Sequence, residues 1–234
     1  MPLKSLIVNR VSALVLAACA VSSSAFAHAD TIAWTNWSSA TAGSAAGAIG
    51  SITVTYSGQT SGLTNVPSWT PVSTFTGGPV GNAPPPTPSI QLEGGFPSLI
   101  ETITFSSAIV DPVFAIWSLG ASGNTASFDF VSKTPEPFTL LGGGPSTEFG
   151  GSSLTVSGQN VSGAEGNGVI QFDGTFSSIS FTTPSFENYY AFTVGYDATL
   201  TPTPSVPEPA TLSLFGLGLL ALPLARRALS RRRS

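Results

Sequence analysis

Between residues 30 and 200 the apolar residues recur with period two and nowhere with the 3.6-residue period of an amphipathic helix, which restricts this region to β-structure. Ser51 to Tyr56 alternates cleanly, and Tyr190, Phe192, Val194 and Tyr196 alternate with Tyr189, Ala191, Thr193 and Gly195, so each segment predicts a half-buried strand. Pro112 to Leu119 is apolar almost throughout and predicts a central strand. Further strands are expected at 99–105, 127–131, 138–141, 153–156, 169–172 and 178–181. Short strands divided by a chain rich in Gly (25 residues) and Pro (19 residues) imply an all-β fold, a single β-sandwich or jelly-roll-like domain over residues 30–200. Two breaks, 77–89 with Pro84-Pro85-Pro86 and 142–151, read as loops, the first extended and mobile. No internal repeat of solenoid length is present.

Charge divides the chain into three. Lys4 and Arg10 lie at the start, and Arg226, Arg227, Arg231, Arg232 and Arg233 at the end, leaving Lys133 as the single Lys or Arg from Asp30 to Ser205. Eleven acids share that middle segment, for a net charge of −10. A nucleic-acid groove needs clustered cations to displace phosphate counterions, so nucleic acid is excluded as a partner.

Residues 1–29 have the parts of a secretory signal peptide: a basic start, the apolar run Val11 to Val21 as an expected helix, then small residues. Ala25-Phe26-Ala27 and Ala27-His28-Ala29 both give the A-x-A spacing that signal peptidase cuts, placing the cleavage residues at Ala25, Ala27 and Ala29. A competing reading uses the one cysteine, because Leu16-Ala17-Ala18-Cys19 fits the lipobox in which Cys19 takes a lipid. Either way the exported region has no disulfide.

At the other end, Thr201 to Ser205 forms a proline-stiffened linker. It is followed by Val206-Pro207-Glu208-Pro209, the apolar run Ala210 to Ala225, and the basic tail Arg226, Arg227, Arg231, Arg232 and Arg233. As a helix the sixteen apolar residues rise about 24 Å at ~1.5 Å each, short of a ~30 Å hydrocarbon core. Residues 210–225 therefore predict a marginal transmembrane helix whose arginines stay cytoplasmic. The order V-P-E-P, apolar segment, basic tail over residues 206–234 resembles the PEP-CTERM sorting signal of Gram-negative bacteria. That resemblance implies a membrane-anchored precursor cut by an exosortase, followed by display at the cell surface or in an extracellular matrix. A second Pro-Glu-Pro at 135–137 lacks both the span and the basic tail and reads as a turn.

The residue census limits chemistry. His28 is the single histidine and sits at the cleavage site, which removes Ser-His-Asp triads, Cys-His pairs and zinc centres from the exported domain. A glycosidase needs two carboxylates, and Glu93, Glu101, Asp129, Glu148, Glu165, Asp173, Glu187 and Asp197 supply acids, but their spacing pairs none of them. Residues 164–168 and 172–174 offer turn oxygens without the D-x-D-x-D-G series of a calcium loop. Trp34, Trp37 and Trp69 are candidates for stacking on sugar rings, against the ordinary reading of core tryptophans. Thr53 and Thr55, Thr74 and Thr76, and Thr102 and Thr104 place hydroxyl pairs on strand faces, as ice-binding surfaces do, against the reading of a solvated face.

The expectation is an exported, non-enzymatic protein with no cofactor and no bound metal, structural or adhesive in role and linked to extracellular polysaccharide. Its processing partners are signal peptidase and exosortase, with the membrane held through the C-terminal helix. The alternatives are a carbohydrate-binding module and a carboxylate-dependent glycan-active enzyme.

Overall fold

A computed structural model of the chain describes residues 30–131 and 138–200. The signal segment with Cys19, Ala25, Ala27 and Ala29, the Pro-Glu-Pro at 135–137, and the whole C-terminal segment from residue 201 lie outside the described residues, and so do both expected flanking helices.

The described chain is all-β. Its strands are β1 (Ile32–Trp34), β2 (Asn36–Thr41), β3 (Ser44–Ile49), β4 (Ile52–Ser57), β5 (Gly62–Thr64), β6 (Ser89–Leu92), β7 (Phe96–Val110) and β8 (Val113–Leu119). They continue with β9 (Ala126–Phe130), β10 (Phe138–Gly143), β11 (Ser152–Ser153), β12 (Thr155–Ser157), β13 (Asn160–Gly163), β14 (Gly166–Phe172), β15 (Thr175–Thr183) and β16 (Tyr190–Asp197). One sheet runs β10-β14-β8-β16-β6-β5, with β1 on β16 and β11 on β14; the other runs β12-β13-β9-β15-β7-β4-β3-β2. Apart from the two-residue parallel pairing of β11, the ladders are antiparallel, and the two sheets face each other as a sandwich.

Between the sheets lies a core built around Phe114 of β8. Its ring stacks on Phe192 with centroids 5.7 Å apart and meets Phe130, Phe172 and Phe181 edge-on at 5.7, 5.6 and 6.3 Å. Quadrupole-matched pairs of this kind add about 0.5–1.5 kcal/mol each beyond simple burial.

The first sheet is covered on its outer side as well. Trp69, Phe75 and Val80, from the long β5–β6 connection, pack on Val113, Ala115 and Trp117 of β8, Val169 of β14 and Ala191 of β16, forming a second core. Trp69 meets Phe75 edge-on at 5.2 Å. This roof corrects two sequence expectations. Strand 190–197 is buried on both faces, not one, because Ala191 packs into the roofed side while Phe192 and Val194 point between the sheets. Residues 77–82, expected as part of an extended loop, are hydrogen-bonded back onto the domain. Asp30 N–H donates to the Pro79 carbonyl at 2.7 Å, Gly77 and Val80 exchange backbone bonds, and Asn82 copies a strand partner. Its Oδ1 accepts from Ile32 N–H at 2.7 Å and its Nδ2 donates to the Ile32 carbonyl at 3.1 Å. Gly77 makes the approach feasible, since a Cβ there would lie 2.0 Å from the Leu141 carbonyl oxygen.

Replacing Asn82 with Ala strands the two Ile32 backbone groups and should lower stability by about 1–3 kcal/mol. Phe114→Ala should cost about 3–5 kcal/mol. Urea denaturation measures both. The Asn82 variant alone should also shift tryptophan emission to the red under native conditions, as the roof over Trp69 loosens.

Candidate functional site

Two surfaces stand out, and the strand directions define them. Ile32 pairs with Asp197, so the chain enters and leaves the domain at one end. Tyr190, at the start of β16, pairs with Leu92 at the other end, roughly 25 Å away for an eight-residue strand. The second end, remote from residue 200, is formed by the connections around residues 93–95, 120–125, 144–151 and 184–189.

Three carboxylates separated by 17 and 22 positions in the sequence converge there on the end of β8. Trp117 Nε1 donates to Glu148 Oε2 at 3.0 Å, Ser118 Oγ to Glu165 Oε2 at 2.6 Å, and Gly120 N–H to Glu187 Oε2 at 3.2 Å. Their other contacts are also neutral donors: Ser68 N–H to Glu148 Oε1 at 2.9 Å and Tyr189 N–H to Glu187 Oε1 at 3.0 Å. Burial drives the Glu187 carboxyl up to about 7, opposed by its two backbone donors and reinforced by the negative charge of Glu165. Glu148 moves the other way. Burial raises it, but the Ser68 and Trp117 hydrogen bonds outweigh that and hold it below the usual carboxylate range.

Backbone strain concentrates at the same place. Ser118 and Glu165, joined by their side chains, both have φ of 56°, a left-handed conformation that costs of order 1–3 kcal/mol for a residue with a side chain. The facing register skips at this point, since Gly166 pairs with Leu119 while Gly168 pairs with Ile116. The resulting bulge turns Ser118 toward Glu165. Phe149 covers the buried Trp117 at 5.1 Å, and Phe149 and Phe186 are themselves more than half exposed. A fourth acid, Glu101, is buried deeper and accepts the hydroxyls of Tyr56 and Thr183; desolvation pushes both the Glu101 carboxyl and the Tyr56 phenol up.

These acids act as struts. Both oxygens of Glu148 and of Glu187 are engaged, and among the described residues no group of three or more His, Cys, Asp or Glu side chains could hold a metal ion. Sequence spacing could not pair them, because what brings them together is the end of a strand that none of them belongs to. The Gly residues around Glu148 and Glu165 were the available signal of tight turns.

The second surface is the outer face of the sheet that runs from β12 to β2, which carries no roof. Along its middle, Ser39 of β2 faces Ala46, Ala46 faces Thr55, Thr55 faces Thr104 and Thr104 faces Ser178 of β15. The adjacent row runs Thr41, Ser44, Ser57, Thr102 and Ser180 across the same five strands. Thr53 continues the pattern, its N–H donating to Ser106 Oγ at 2.9 Å. Of the threonine pairs at 53/55 and 102/104, Thr55 and Thr104 thus face each other, while Thr102 faces Ser57 and Thr53 lies beside Ser106. The third expected pair does not join them: Thr74 and Thr76 sit in the roof, Thr74 Oγ1 bound to the Pro145 carbonyl and Thr76 Oγ1 to that of Val72.

Stacking on sugar requires an open ring face, and two of the three candidate tryptophans have none. Trp37 is 1% exposed in the inter-sheet core with Nε1 on Thr193 Oγ1 at 3.2 Å, and Trp69 is 1% exposed in the roof. Both were drawn inward by the apolar layers on either side of β16. Trp34 is half-buried against the roof, its Nε1 3.3 Å from the Asn82 carbonyl.

The raised Glu187 carboxyl has a stability consequence. The folded protein holds the proton up to about pH 7 while the unfolded chain releases it near pH 4.5, so this contribution is complete below pH 4.5 and is lost as pH rises toward 7. On the order of 3 kcal/mol is at stake, at about 1.36 kcal/mol per tenfold change in proton affinity. Glu187→Gln should remove it. The difference in unfolding free energy between wild type and variant should change sharply between pH 4 and 8, and a constant difference would show that Glu187 does not titrate there.

Residues 205–233 match the family model described as the PEP-CTERM protein-sorting motif. The match takes in the sorting residues Val206, Pro207, Glu208 and Pro209 and the basic residues from Arg226 to Arg233. No curated protein and no solved structure matches the chain. Among the described residues no helix is long and apolar enough to cross a membrane, and residues 210–225 lie outside them. The chain thus carries at its C-terminus a PEP-CTERM sorting motif, the mark of an exported, membrane-anchored precursor that an exosortase processes into a surface protein.

Proposed function

We propose that this protein is a non-enzymatic structural or adhesive element of the cell surface or extracellular matrix, associated with extracellular polysaccharide. The observation that carries the reading is the joining of the sorting motif at 205–233 to a domain whose described residues contain ten acids and no Lys, Arg or His. Signal peptidase would act at Ala25, Ala27 or Ala29, the 210–225 helix would hold the precursor in the membrane, and exosortase would act near Glu208. The non-enzymatic reading is supported by Glu148 and Glu187, whose four oxygens are all engaged by donors within the domain. Residues 32 and 197 lie together at one end of the domain, and Phe149 and Phe186 are exposed at the opposite end.

Glu208→Ala should leave the chain in the membrane fraction, while wild type appears at the surface or in the medium. Cell fractionation with an antibody to the domain measures this, and an unchanged distribution would reject exosortase processing.

A further inference from the structure

We infer that the unroofed outer face of the sheet that runs from β12 to β2 is a binding surface for an extended, neutral polysaccharide lying across the strands along the row Ser39, Ala46, Thr55, Thr104 and Ser178. This deepens the proposed surface role and rests on it. Two observations and two physical arguments support the assignment.

The two outer faces of the sandwich are treated differently. One is sealed by an apolar roof containing Trp69, Phe75 and Val80; the other is left open across five strands in register. Along the open row every side chain is small, and the Thr55 and Thr104 hydroxyls have no bond within the described residues, so they are free to meet a ligand.

Charge then selects the partner. The row has no ionic group, and the domain around it has acids and no cation among its described residues. An anionic polymer would be repelled by the net field, and a cationic one would be drawn to the carboxylates at the ends of the sandwich. A polyhydroxyl chain without charge matches the row.

Energetics select a polymer. One hydroxyl contact exchanges with water for little net gain, so a surface of this kind binds usefully only by repeating the contact many times on one connected ligand. The row supplies positions at the strand spacing of ~4.8 Å, close to the advance of one hexopyranose unit in an extended β-linked chain.

Twist selects a chain over a plane. A sheet turns by about 20–25° per strand, so across five strands the face normal rotates by about 80–100°, around an axis that runs along the row itself. A flat crystal face such as ice loses contact on such a surface. A single glycan chain laid along the axis stays straight and turns with it.

The test uses the full chain in mild detergent, with microcrystalline β-1,4-glucan as the neutral probe and alginate beads as the anionic one. Wild type should be retained on the glucan and not on alginate. Thr55→Ala with Thr104→Ala should weaken retention at least fivefold, and Thr104→Lys, which places a long charged side chain mid-row, at least tenfold, each with an unchanged denaturation midpoint. Phe149→Ser with Phe186→Ser, at the far end of the sandwich, should bind as wild type. Full retention by the Thr104→Lys variant, or loss in the Phe149/Phe186 variant, would overturn the assignment of this face while leaving a polysaccharide-linked role standing. Retention on alginate alone, or shaping of ice crystals without glucan retention, would assign the face to a different occupant and overturn it. Retention on neither polymer would overturn the inference and the polysaccharide part of the proposed function together.

Discussion

The architecture depends on burying β8 and β16 on both faces. Strands that carry apolar or small residues at consecutive positions, Val113 to Leu119 and Tyr190 to Val194, cannot face water on either side, and one opposing sheet covers only one. The other side has to be closed by something else, and the β5–β6 connection does so with Trp69, Phe75 and Val80. Roofing in turn fixes where Asn82 and Gly77 must sit and draws the β10–β11 turn with Glu148 against Trp117. The second sheet, in which Ile52–Ser57 alternates between buried and exposed positions, has no such roof and keeps its hydroxyl rows in solvent.

Lack of countercharge shapes everything polar. With no cation among the described residues, each buried carboxylate is held by neutral donors: backbone N–H groups, hydroxyls and an indole. Such donors are directional, so each acid specifies a local geometry, and at Ser118 and Glu165 that geometry is a strained one. Glu187 and Glu148 have two donors each: at the more deeply buried Glu187 desolvation wins and the acid keeps its proton to about pH 7, whereas at Glu148 the bonds from Ser68 and Trp117 outweigh burial and lower the pKa.

The strands with strong period-two or continuous apolar patterns, from Ile52–Ser57 to Tyr190–Asp197, were legible in the sequence. Those that were not are short or poor in large apolar residues. Ser44–Ile49 reads SAAGAI and Asn36–Thr41 reads NWSSAT, so neither shows alternation, although both are ordered by pairing with Ile52–Ser57 and with each other. The roof was missed because its Gly and Pro residues signal irregular backbone, which is true, and irregular backbone suggests exposure, which here is false: three large side chains spread over 69–80 are enough to anchor it. Register was beyond reach for the same reason in reverse. Two Thr-x-Thr segments can be found by inspection, but that Thr55 stands beside Thr104 depends on a pairing between strands separated by the whole roof. Likewise the sorting residues could be read directly because they act as a linear signal, whereas Glu148, Glu165 and Glu187 meet only through the end of β8.

The missing cations have a consequence for survival outside the cell. Proteases that cut after Lys or Arg find no site in residues 30–131 or 138–200, and within the exported domain Lys133 is their one target. A cut there falls between β9 and β10, which belong to opposite sheets and are each paired with other strands, β9 with β13 and β15 and β10 with β14. The two fragments would remain joined through the shared core around Phe114. A trypsin-like cut at Lys133 would therefore release neither part of the domain.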